Sequence, residues 1–365
     1  MKHSSFNIII FCVLSLAALS FQEAQADTIT DSKAWKFDGI VDINVTGVGL
    51  ANWTGGGKNT MSELTFAKLH LLYYKDAIAW ETNLDTDFGL SWTQQDEDPW
   101  KKTSDKIKLN SKLGREFKPG WFLTVLGRFE SQFAVGRKMR KGYDPPISKW
   151  LAPSYTDISI GFDRQKTVKK FDFSIYMSPL VLFVTTAYVS DMVNDAYNAE
   201  HQELVPDDPN YDFRHSLQTE YGTFKIIRDA SGEPEIKWHN ARVELGMALK
   251  GTINYKRDNM MLRSTLTVFT PYQGRGFDVK EAYESTHPGD TWDLPLRYSN
   301  LNRQFGYFDV DWDMSFSYLF AKVLNVTLST NLRYFNGVLI ADSDGVLEER
   351  VQFKTNFGIG LSYSF

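Results

Sequence analysis

Hydrophobic and polar positions alternate along most of this chain, over runs longer than an ordinary sheet needs. At the C-terminus Val351, Phe353, Thr355, Phe357, Ile359, Leu361, Tyr363 and Phe365 fall on one face of a strand, and Gln352, Lys354, Asn356, Gly358, Gly360, Ser362 and Ser364 on the other. Residues 78–92 repeat the pattern: Ile78, Trp80, Leu84, Phe88, Leu90 and Trp92 point one way, Glu81, Asn83, Asp85, Asp87 and Ser91 the other. Segments 105–117, 242–256, 307–320 and 323–335 follow suit. Soluble sheets are usually built from strands of roughly 5 to 6 residues. Longer alternating strands predict a transmembrane barrel, with one face in hydrocarbon and the other in water. A soluble sandwich or lipocalin-like barrel, apolar face inward, is the competing all-β reading.

Trp80 and Trp92 stand twelve positions apart, roughly 28 Å along the membrane normal for a strand tilted by about 45°. That spacing suits two aromatic girdles. Short turns are expected near Lys75-Asp76, Lys118-Pro119-Gly120, Arg164 to Lys169, Arg257-Asp258 and Ala321-Lys322. Longer connections are expected at 51–60, 93–104, 136–154, 179–239, 273–304 and 336–349. Short and long take turns, as periplasmic turns and extracellular loops do in outer-membrane barrels. The count is about twelve antiparallel up-and-down strands, both termini facing the periplasm. The alternative is fourteen, because Leu180–Val189 and Thr219–Ile227 inside the longest connection also look like strands. Extension of neighbouring strands above the membrane is the preferred reading of those two pieces, over folding inward as a plug.

The N-terminus reads as a cleaved secretory signal over residues 1–26. Lys2 is followed by an apolar stretch from Phe6 to Leu19 and a small-x-small site at Ala24-Gln25-Ala26, so that Asp27 starts one barrel domain over 27–365. The single cysteine, Cys12, leaves with that peptide, and no thiol or disulfide chemistry is expected. Beyond residue 26 no apolar run approaches the roughly 20 residues of a spanning helix, so any crossing must be made by strands.

Charge is nearly balanced, with 40 Lys and Arg against 45 Asp and Glu, so no basic field for nucleic acid exists. The inward faces are nevertheless highly charged. Glu81, Asp85 and Asp87 should lie beside Lys106, Lys108 and Lys112 on the next strand. Arg128 with Glu130, Arg242 with Glu244, and Asp309, Asp311 and Asp313 with Arg333 complete other sectors. Such pairs either stiffen a closed lumen or line a narrow selective path.

At Asn52-Trp53-Thr54-Gly55-Gly56-Gly57, after a first strand expected at 39–51, the chain resembles a Bacteroidota-type family of outer-membrane proteins known only as a domain of unknown function. Lys102-Thr103-Ser104-Asp105-Lys106, and Gln132-Phe133 with Gly136, carry the resemblance further along the mature chain. It implies location and barrel, and no activity. The Asn52, Trp53, Gly55, Gly56 and Gly57 loop also has a plain structural reading, because tight loops need residues that tolerate positive φ.

Catalytic chemistry finds little support. His70, His201, His215, His239 and His287 show no motif linking them to a serine, although His239 beside Asn240 could join a lipid-modifying group. Asp207, Asp208, Asn210 and Asp212 could hold calcium, but Pro209 interrupts them and a solvated loop is the simpler reading. Neither a metal nor a cofactor is expected. The expected partners are outer-membrane lipid, the barrel-assembly machinery reading Tyr363 and Phe365, and a small solute or surface partner. The sequence predicts an outer-membrane barrel that is a narrow channel or small-solute transporter, with a non-transporting surface protein as the alternative.

Overall fold

The alternating segments become twelve antiparallel strands in the computed structural model. It describes residues 34–48, 58–94, 99–137, 146–206, 209, 211–228, 234–257, 259–272, 308–320, 324–336, 338–341 and 347–364, and all structural statements concern those residues. The strands are β1 (Trp35–Val48), β2 (Thr60–Lys75), β3 (Ile78–Thr93), β4 (Trp100–Lys118), β5 (Trp121–Ser131) and β6 (Ser154–Val168). They continue as β7 (Phe171–Thr186), β8 (Ala241–Arg257), β9 (Met260–Pro271), β10 (Asp309–Leu319), β11 (Leu324–Tyr334) and β12 (Gln352–Ser364). Each pairs with its neighbours in sequence and β1 returns to β12, so an up-and-down barrel closes with no free edge.

Alternation decides which face looks out. On β12 Phe353 and Phe357 are 65% and 66% exposed, while on β1 the polar Asp42 and Asn44 are 2% and 6% exposed. A soluble barrel would bury the first pair and expose the second, so this outer surface is one that lipid covers. Aromatic residues mark both rims. Trp92 and Trp100 are register partners at one, and Trp35 packs 4.7 Å from Tyr73 and 5.7 Å from Trp80 at the other.

Closure rests on a short seam. β1 and β2 share fourteen register pairs, but β1 and β12 share four, Ile40↔Ser364 to Ile43↔Leu361. Glycine on the inner face of β12 compensates. A Cβ on Gly360 would lie 2.3 Å from the Ile43 carbonyl oxygen and 2.5 Å from Asn44 Oδ1. Because β12 presents no side chain there, Asn325 of β11 reaches past it and donates to both oxygens of Asp42 on β1 at 3.1 Å. A neutral-to-charged hydrogen bond in this buried setting stabilises the seam by about 1.5–3 kcal/mol.

Several boundaries differ from the sequence reading. The first strand begins at Trp35 and not residue 39, and β4 begins at Trp100, which shortens the connection expected at 93–104. β6 runs through Arg164 to Val168, so the turn falls at Lys169-Lys170, with Lys169 at φ 58°. The charged run looked like a turn, yet at a barrel rim such side chains can stay in strand and still meet water. β7 runs on to Thr186, as the extension reading of Leu180–Val189 expects, but Thr219–Ile227 extends nothing. It divides between helix α2 (Phe213–Glu220) and a hairpin of Phe224–Arg228 with Pro234–Trp238. Helix α1 (Asp191–Leu204) precedes it and was not foreseen either. Short hairpins also form within the expected loops 136–154 and 336–349, pairing Gly136–Arg137 with Pro146–Ser148 and Leu339–Ala341 with Leu347–Glu349. The signal segment, Asn52–Gly57, Asp207, Asp208, Asn210, the loop 273–304 and Phe365 lie outside the described residues.

Candidate functional site in the lumen

Inward positions of β3, β4 and β5 meet those of β10 and β11 across the lumen. In the ring of twelve strands β4 stands six places from β10 in either direction, and β5 six from β11. These are diametrically opposed walls. Lys108 of β4 nevertheless lies 3.1 Å from Asp311 and donates to Asp313, both on β10, and lies 3.6 Å from Glu130 of β5. Glu130 accepts from Arg333 of β11 at 2.5 Å, and Arg333 Nε lies 3.5 Å from Asp311. Arg128 pairs with Asp157 of β6 and reaches Asp311 at 3.3 Å. Asn331 donates to Asp311 at 2.8 Å and to Asp313 at 2.9 Å. Three cations thus interleave with carboxylates from both walls, which is what lets so many charges share one low-dielectric space.

The other sequence candidates lie around this brace. Glu81 faces Lys112 in the ladder at 3.5 Å, and Lys112 also reaches Asp163 at 2.9 Å. Asp87 lies 3.6 Å from Lys106 and 3.1 Å from Lys354, and accepts from Ser104. Asp85 stands in register with both Lys68 and Lys108. Arg242 pairs with Glu244 at 3.1 Å and donates to the Tyr221 and Gly222 carbonyls, tying β8 to the loop above it. Two expected pairings differ. Lys108 crosses the lumen instead of stopping at its ladder neighbour Asp85, and Asp309 accepts from the Asn336 amide at 2.7 Å while Arg333 serves Asp311 and Glu130.

Above the brace the lumen turns apolar. Tyr155, Val181, Phe183, Phe269 and Phe335 project inward near the ends of β6, β7, β9 and β11, and Phe213 and Leu217 of α2 pack on them, both fully buried. Phe183 stacks on Phe269 at 5.0 Å and Tyr155 meets Phe335 edge-on at 4.9 Å. α2 starts here because Asp212 caps it, accepting from the His215 amide at 2.8 Å. Asn194 of α1 donates to the same carboxylate at 3.0 Å. Burial pushes the Asp212 carboxyl up, but the hydrogen bonds from Asn194, the His215 amide and Asn198 outweigh it and hold it below the usual carboxylate value. Ile147 and Arg137, in the connection from β5 to β6, are tied to this cap, Tyr221 donating to the Ile147 carbonyl at 2.8 Å and Arg137 pairing with Glu200 at 2.7 Å.

Against the brace itself lies a cavity of about 230 Å³, lined by residues that include Lys68, Lys106, Lys250, Arg263, Thr265 and Ser329. The sequence reading did not single out Lys68, Lys250, Arg263 or the aromatic cap. Lys68 shares the inner face of β2 with Phe66 and Leu72, which blurs the alternation there. The cap needs the three-dimensional return of a loop to its own barrel.

A family described as "Protein of unknown function (DUF3078)" matches residues 45–136, about a quarter of the chain. No curated protein matches in sequence. Among solved structures, an outer membrane channel from Pseudomonas putida F1 is 11% identical, with 93% of this chain and 100% of that one covered at a TM-score of 0.36. The NanC porin is 7% identical, with 89% and 98% covered at 0.32. The translocator domain of autotransporter NalP from Neisseria meningitidis is 10% identical, with 100% and 96% covered at 0.31. Overlaps of this size say nothing of solute or activity. From its own strand pairing and its lipid-facing surface, the chain is a membrane-spanning barrel of the outer-membrane type, with a charged, cross-braced lumen beneath an apolar cap.

Proposed function

We propose that this protein is a gated narrow channel or small-solute transporter of a Gram-negative outer membrane, held closed in the conformation described here. The observation that carries the reading is the cavity of about 230 Å³ inside the barrel, lined by charged groups from opposing walls. A barrel that served only as a scaffold would gain by filling that space with side chains. The brace and cap are then the closed gate, and an opening must part Lys108 from Asp311 and Asp313. Planar-bilayer recording of the refolded protein tests this. Current steps whose ion selectivity changes on neutralising Asp85, Asp87 or Lys108 support it, because lumen charges set which ions enter.

A second reading rests on the cap. Phe213 and Leu217 are completely buried against barrel aromatics, which anchors α2 as a platform suited to holding a surface partner. A folded barrel that passes no current in any variant favours this non-transporting surface role.

A further inference from the structure

Among the described residues the charge lining the cavity is unequal. Eight Lys and Arg side chains line it against five Asp and Glu. Most of the cations are matched within the brace, or by Asp87, which serves both Lys106 and Lys354. Three are not. Arg263 of β9 donates to the neutral Asn83 amide oxygen at 2.8 Å. Lys68 of β2 stands in register with Asp85 but forms no ion pair among the described residues, and Lys250 of β8 has neither a hydrogen bond nor an ion pair among them.

These three groups converge. β2 and β8 are six places apart in the ring, so Lys68 and Lys250 enter the cavity from opposite walls, and Arg263, on the strand next to Lys250 but in register with Asn254, lines the same cavity four residues further along. The positive charge of Arg263 acts on both lysines, while the Asp85 carboxylate in register with Lys68 offsets part of the repulsion there and Lys250 faces only cations. Like charges turned toward one partly enclosed cavity repel each other and lose part of their hydration when nothing offsets it. An anion between them offsets it, and Thr265, Thr267 and Ser329 on the same lining supply hydroxyl donors. Arg263 adds a planar fork suited to two oxygens of one carboxylate or phosphate.

Resting on the small-solute reading above, we propose that the cavity is a binding site for a small carboxylate- or phosphate-bearing solute, held by Lys68, Lys250 and Arg263. The test is calorimetric titration of the refolded full-length barrel in detergent with succinate, with inorganic phosphate, and with uncharged erythritol as control. Expected is saturable binding of one of the two anions, which identifies the acid class, and none of erythritol. Lys250→Met should weaken binding about tenfold, Arg263→Gln by a similar factor, and Lys250→Arg should largely retain it. Lys250→Met removes an uncompensated charge, so the variant should keep its folded, heat-modifiable band. Absence of binding by either anion, or binding indifferent to both Lys250→Met and Arg263→Gln, overturns the proposal. Binding without any current would sink the channel reading and leave the site standing, whereas current without binding would do the reverse.

Discussion

Lys108 and Asp311 sit 3.1 Å apart although their strands are six places apart in a ring of twelve, so one ion pair spans the width of the barrel. Its removal should be costly. Lys108→Met leaves Asp311 and Asp313 sharing a buried site with one fewer cation, a loss of about 3–5 kcal/mol. Urea unfolding of the refolded protein should register it. Adding Asp313→Asn should recover part of the loss, because the orphaned charge is then gone. Equal stability of wild type and Lys108→Met would mean that the lumen is wetter than this packing implies.

The seam makes a second demand. Gly360→Val would drive a side chain into the Ile43 carbonyl, 2.3 Å from the Cβ position, and break the Asp42–Asn325 link. Deleting Tyr363 to Phe365 removes the Val41↔Tyr363 and Ile40↔Ser364 pairs from a seam of four, together with the terminal aromatic expected to guide assembly. Both changes should lower the amount of heat-modifiable protein in the outer-membrane fraction. Full assembly of both would show that closure draws its strength elsewhere.

The β2–β3 turn contains a residue that a sequence designer would avoid. Asp76 and Ala77 both have positive φ, 51° and 65°, as a primed two-residue turn requires. Alanine pays about 1–2 kcal/mol for that conformation, and glycine gives back part of the gain through its looser unfolded chain. Ala77→Gly should therefore stabilise the barrel by about 0.5–1 kcal/mol in the same urea assay, and a destabilised variant would contradict the turn assignment.

Acid should loosen the cap. Asp212 has its carboxyl held below the ordinary value in the folded state, so its contribution is complete above the unfolded value near pH 3.9 and is lost as the pH falls through the lower folded value. Hydrogen exchange of the 213–220 amides, corrected for intrinsic rates, should speed up below about pH 4 in wild type. Asp212→Asn keeps the capping oxygen but cannot titrate, and should flatten that dependence. A wild-type profile as flat as the variant's would remove Asp212 from the cap's stability.

How much of this was legible in the sequence follows from distance along the chain. Alternation is a local property, so β3, β4, β10 and β12 could be read from Trp80, Lys106, Asp311 and Phe357 with the correct face outward. Ladder pairs such as Glu81↔Lys112 and Asp87↔Lys106 lie within one hairpin of consecutive strands, whose alternating inward positions bring acids of one strand beside lysines of the next. The contact of Lys108 with Asp311 joins residues 203 positions apart through the ring's diameter, and no local pattern encodes it. α1 and α2 were hidden for a different reason. Phe213 and Leu217, four apart, are too few to announce a helix, and they acquire a buried face only when the loop folds back onto Phe183 and Phe269.

The gate itself can be tested most directly by single-channel recording in planar bilayers, comparing wild type with a barrel lacking residues 191–235 and carrying Asp311→Asn and Asp313→Asn. A closed gate predicts a mostly silent wild type and long-lived current steps once cap and brace are removed, with an ion preference that shifts when Lys108 is neutralised. If the doubly altered barrel folds, shows its heat-modifiable band and still passes no current, the lumen is a strut and not a path.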